Sequence, residues 1–149
     1  MSLITERLVV LNLDSPDRHV ATRVLAQALA GEGRVTDLDG FLADVRKREE
    51  QMPTGLPGGI GIPHARSTFV TEPSLVFGRS SAGIDWGAED GPATLIFLIA
   101  APEGGGDDHL KILAALARRL MRTEFREALL NAPDAATVVD VVTREVVNP

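Results

Sequence analysis

The chain has 149 residues, 44% of them hydrophobic and 24% charged, which suits one domain with a sizeable core and excludes a disordered segment. Fifteen basic residues against twenty-one acidic ones give a net charge of −6, which speaks against a nucleic-acid surface and, weakly, for a basic protein partner. With no cysteine, disulfides, thiolate metal sites and a cysteine nucleophile are excluded, and any chemistry must come from histidine, carboxylates, arginine and backbone.

The opening residues, MSLITERLVVLNLD, lack a basic n-region, and Glu6 and Arg7 interrupt their apolar run. No export signal is expected, and the chain reads as cytoplasmic. Residues 8–13, LVVLNL, predict a strand ended by the turn cluster DSPD. Residues 17–30 predict a helix, with Val20, Val24, Leu25, Ala28 and Leu29 at helical spacing and GEG as its stop. His19, near that helix start, reads as an exposed residue. Thr36 or Asp37 caps a second helix with Leu38, Phe41, Leu42 and Val45 as its apolar stripe. Its polar end, RKREEQ, leaves Arg48 close to a helix C-terminus before the loop MPTGLPGG. A cation there suits either a solvated charge that complements the helix dipole or an anion ligand.

Ile60 and Ile62 alternate with glycines, so they share one face of a short strand that Pro63 ends. Residues 75–79 predict another strand. Residues 94–101, TLIFLIAA, predict a central one because the run is apolar on both faces; they are too few to span a bilayer. Between them, AGIDWGAEDGP is a turn-rich connection holding Trp86. After Pro102 and EGGGDD comes a helix capped by Asp107, with Leu110, Leu113, Ala117 and Leu120 as its stripe. A short helix starts at Thr123, and a last one follows Pro133, capped by Asp134, with Val138, Val139, Val142 and Val146 buried. This order predicts a single domain over residues 1–149, an α/β fold built as a three-layer α/β/α sandwich around a mixed, mainly parallel sheet.

Two of the three histidines stand where strands end. His64 follows Pro63, and His109 falls in the first turn of the helix after the glycine run. If the two strands are parallel neighbours, both histidines lie at the carboxyl edge of the sheet, where open α/β folds bind ligands. Glycine-rich N–H groups and a helix start suit an anion, and Arg48 adds a clamp; Asp107 and Asp108 oppose this with negative charge. On spacing alone the histidines also suit plain surface residues or, with carboxylates, a zinc site, although no H-E-x-x-H pattern is present. No G-x-S-x-G elbow appears.

The segments REEQMPTGLPGGIGIPHAR (48–66), IDWGAEDG (84–91) and LIFLIAAPEGGGDDHLKILAALARRL (95–120) resemble the type 2 enzyme IIA domains of the bacterial phosphoenolpyruvate-dependent sugar phosphotransferase system. Within that class, WGAEDG together with APEGGGDDHL leans toward the fructose branch over the mannitol and nitrogen-regulatory ones. The resemblance implies that His64 takes a phosphoryl group from the phosphohistidine of the carrier protein HPr and passes it to a cysteine of a sugar-specific IIB domain. It implies that His109 and Arg48 stabilise the transferring group, with no cofactor and no metal. Thr54, in the same loop, is a candidate hydroxyl ligand, or else a turn residue. A relay to two partners calls for a shallow site ringed by apolar residues. With no cysteine and no membrane-spanning run in the chain, IIB and IIC are expected elsewhere. Gly61 and Ala65 depart from the GIAIPHG form common in the family.

Overall fold

The computed structural model describes residues 2–15, 17–104 and 108–147, and of Asp108 and His109 the backbone alone. Among the described residues six strands form one sheet: β1 (Val9–Val10), β2 (Gly55–Leu56), β3 (Ile60–Gly61), β4 (His64–Ser67), β5 (Ser74–Ile84) and β6 (Ala93–Pro102). The α-helices among the described residues are α1 (Arg18–Gly31), α2 (Leu38–Gln51), α3 (Asp108–Leu120), α4 (Thr123–Leu130) and α5 (Ala135–Val142), the last continuing into a wider π-helical turn, Thr143–Val147. The helix starts follow from their caps. Asp17 accepts the N–H groups of His19 and Val20, Asp37 that of Gly40, and Asp134 that of Thr137, which satisfies donors that lack an intrahelical partner. The predicted cap Asp107 and its glycine neighbours Gly105 and Gly106 lie outside the described residues.

The sheet order is β1-β5-β6-β3-β2, with β4 also on β6. It is mixed: β1 with β5, and β3 and β4 with β6, pair parallel, while β5 with β6 and β2 with β3 pair antiparallel. β6 lies at its centre, with Leu95, Ile96, Phe97 and Leu98 fully buried on both faces. Two adjacent residues of β5 show the layers on either side. A Cβ at Gly78 would press on Leu13 and on Leu25 of α1, whereas Arg79 reaches the opposite way to the carbonyls of Leu129, in the last turn of α4, and of Ala132 just past it, at 2.9 and 2.8 Å. Its cation there meets the exposed carbonyl end of a helix. The α/β/α sandwich is thus formed by α1 and α2 on one face and α3, α4 and α5 on the other.

Three local expectations are corrected. Residues 8–13 give only the two-residue edge strand β1, because Glu6–Leu8 turn as a 3-10 helix; Leu13 still donates its N–H to Arg79 at 2.8 Å. Pro63 does not end the strand. Ile60 stands opposite Leu95 and His64 opposite Ile99, so β4 resumes the line of β3 along β6, and the proline stays paired through its carbonyl, which accepts Ile99 N–H at 3.0 Å. On α3, Leu116 and Leu120 enter the core, but Leu110 is 52% exposed. The apolar stripe of that helix therefore runs from core to surface.

Candidate active site

Parallel pairing of β4 with β6 brings the expected pieces to one end of the sheet. His64 opens β4, and the backbone of His109 lies in the first turn of α3, one residue before Leu110. Arg48 comes from the last turn of α2, which packs on β4. A cavity of about 460 Å³ opens between them, lined by Asp44, Lys47, Arg48, His64, Arg66 and Leu110 among others. The structure therefore brings His64 and Arg48 to one surface, with the start of α3 beside them.

The His64 ring is half-buried, and its Nδ1 lies 2.8 Å from the carbonyl oxygen of Ile62. A carbonyl only accepts, so Nδ1 carries the proton, and in the neutral ring the lone pair belongs to Nε2. The partner that fixes the tautomer is a backbone atom, which no side-chain pattern in the sequence reveals. Among the described residues that line the cavity, Lys47, Arg48 and Arg66 face the Asp44 carboxylate, and the Ser67 hydroxyl donates to that carboxylate at 2.6 Å. Counted over the described residues, the mouth is thus locally basic in a chain of net charge −6, which suits an anion. Arg48 Nη1 donates to the carbonyl of Met52 at 3.0 Å. Met52, 65% exposed, and Leu110 add apolar surface.

Thr54 is not brought into this cavity. It is 5% exposed; its hydroxyl donates to Glu49 at 2.5 Å and accepts the Trp86 indole N–H at 3.2 Å. Lys47, Arg66 and Asp44 were missed by sequence reasoning. Arg66 follows the Pro-His pair at strand spacing, two residues on and hence on the same face as His64, a signal that was available.

Gly61 acquires a reason here. A Cβ on it would lie 2.7 Å from the Trp86 ring, so the indole fills the space of the alanine common in the family. Opposite it, Gly55 pairs with Gly61 across the β2–β3 hairpin and would place a Cβ 2.6 Å from the Trp86 carbonyl. Gly58 and Gly59, with φ of +97° and +78°, make the hairpin turn in a region that favours glycine.

An α/β/α fold with a histidine presented in a basic, open cavity defines the class that the comparisons then narrow. The family model described as the phosphoenolpyruvate-dependent sugar phosphotransferase system, EIIA 2, matches residues 2–145. The chain is 42% identical over 142 residues to the fructose-specific EIIA component of the phosphotransferase system of Haloferax volcanii, covering 93% of this chain and 92% of that one. It is 36% identical over 143 residues to the fructose-specific EIIABC component of Bacillus subtilis, covering 95% of this chain and 22% of that longer protein. In three dimensions it is similar to the nitrogen regulatory protein IIA-Ntr of Neisseria meningitidis, with a TM-score of 0.87, 26% identity and coverage of 95% and 97% of the two chains. The chain belongs to the EIIA type 2 family of the phosphotransferase system, whose components carry phosphoryl groups.

Proposed function

We propose that this chain takes a phosphoryl group from phospho-HPr on Nε2 of His64 and hands it to the cysteine of a fructose-type IIB component, in the cytoplasm. The observation that carries the reading is the Nδ1 contact to the Ile62 carbonyl, which puts the ring proton on Nδ1 and makes Nε2 the nucleophilic nitrogen of a ring that lines one cavity with Arg48. In the first step the Nε2–P bond forms as the N–P bond of phospho-HPr breaks, and the electron pair returns to the HPr imidazole. In the second, the IIB thiolate forms an S–P bond and His64 recovers its lone pair. Phosphoryl transfer has a loose transition state, so the protein acts by alignment and by stabilising charge on the equatorial oxygens. Arg48 and His109 supply that charge, and Lys47 and Arg66 hold the anion at the mouth.

The reading is tested by incubation with phosphoenolpyruvate, enzyme I and HPr, followed by assay for an acid-labile, alkali-stable adduct. His64→Ala is expected to abolish the label, and normal labelling of that variant overturns the assignment. A regulatory role, in which the same phosphohistidine governs binding to another protein, is favoured by the similarity to IIA-Ntr. Rapid loss of label to a IIB cysteine supports transport; stable stoichiometric binding of another protein by one phosphorylation state supports regulation.

A further inference from the structure

Behind His64, three buried side chains outside the cavity mouth are matched to one another donor for acceptor. Glu49, Thr54 and Trp86 are 6%, 5% and 1% exposed. Glu49 accepts the Thr54 backbone N–H on one carboxylate oxygen at 2.7 Å and the Thr54 hydroxyl on the other at 2.5 Å. A hydroxyl has one proton to give, so having given it to Glu49 the Thr54 oxygen receives the Trp86 N–H at 3.2 Å. The direction runs from Trp86 through Thr54 to an acceptor-only carboxylate.

From Thr54 the chain of hydrogen bonds continues to the reacting ring. The Thr54 carbonyl accepts Ile62 N–H at 3.1 Å, and the Ile62 carbonyl takes His64 Nδ1–H at 2.8 Å. Glu49 also follows Arg48 directly on α2. One side chain therefore ties the helix that carries Arg48 to the segment that carries His64. The Trp86 ring holds that segment from the other side, against Gly61.

We propose that Glu49, acting through Thr54 and Trp86, is a positioning residue for phosphoryl transfer. It fixes the Ile62 carbonyl that keeps His64 in the Nδ1–H form, and it sets the reach from Arg48 to Nε2. The inference rests on the reading of His64 as phosphoryl acceptor. Glu49 need touch neither phosphorus nor partner; it acts on the fraction of rings held in the reactive tautomer and orientation.

The test pairs a ¹⁵N spectrum of the histidine rings in the unphosphorylated full chain with single-turnover transfer from phospho-HPr. Glu49→Gln replaces one acceptor oxygen with an amide donor, which opposes one of the two Thr54 donors. The Nε2–H tautomer of His64 is then expected to appear. The rate at saturating phospho-HPr falls about tenfold, while the half-saturating donor concentration stays within about twofold. Thr54→Val is expected to do the same, and Thr54→Ser, which keeps the hydroxyl, restores both readouts. A folded Glu49→Gln chain with unchanged tautomer and rate overturns the proposal and leaves His64 as acceptor. If wild-type His64 takes no label, the functional reading fails, and the tautomer spectrum alone then decides whether Glu49 orients the ring. Should Glu49→Gln not fold, identical behaviour of Thr54→Val and Thr54→Ser is the overturning result.

Discussion

The front and back of the short segment that carries His64 are built on opposite terms. In front, Lys47, Arg48 and Arg66 stand exposed or half-exposed near the Asp44 carboxylate, where water screens their charges. Behind, Glu49, Thr54 and Trp86 are buried, where a polar group without a partner costs about 1–3 kcal/mol. There every member of the cluster is paired. On the function proposed above, the site must stay open to two proteins in turn, so no lid can hold its histidine. Precision has to come from the buried side, and charge from the open one.

The largest effect that separates the two sides is expected from Arg48→Ala. Removing a charge-stabilising donor is expected to slow phosphoryl transfer on the order of a hundredfold, while the half-exposed position leaves stability nearly unchanged. Rapid-quench transfer and a denaturant titration measure the two quantities. A variant that unfolds instead would place Arg48 with the buried set, and the division would not hold.

Gly61→Ala probes the back in the same way. A methyl 2.7 Å from a rigid indole forces the hairpin or the ring to move, at a cost of about 1–3 kcal/mol. Denaturation midpoints give that cost, and repeating the substitution in a Trp86→Leu chain should shrink it, since the flexible leucine can yield. An equal cost in both backgrounds would mean that the indole is not what requires glycine.

The front was far more legible in the sequence than the back. His64 was marked by Pro63 and the glycines, His109 by its strand-to-helix position, and the family likeness pointed to Arg48. Glu49 was hidden inside RKREEQ, where neighbouring carboxylates look alike. Helical period does set Glu49 four residues after Val45, on the buried stripe, but only the fold shows its partners, Thr54 and, through it, Trp86. Thr54 looked like a site residue because it lies in the right loop, but its hydroxyl is taken from behind. Leu110 fitted a core stripe because helical period does not distinguish a core from the rim of a cavity. In the fold, layers and helices were readable from period and caps. The short β1 and the resumption of β4 after Pro63 were not, since both depend on pairing with β5 and β6.

The smallest expected effect comes from a helix cap in the layer opposite α2, Asp134 at the start of α5, and it checks that the comparison concerns the site and not stability at large. Hydrogen bonds from the Thr137 hydroxyl and backbone N–H hold the Asp134 carboxyl below the ordinary aspartate range. A carboxyl that titrates lower when folded than when unfolded contributes stability at and above the unfolded value, and loses it as pH falls through the folded one. Asparagine caps a helix without titrating in this range. The variant Asp134→Asn should therefore show a shallower acid loss of stability than the wild type in thermal unfolding measured from neutral pH downward. Its phosphoryl transfer rate at neutral pH should be unchanged. A slower rate in this variant would mean that stability anywhere in the chain feeds the site, and the rate losses expected at Glu49 could then no longer be ascribed to position alone.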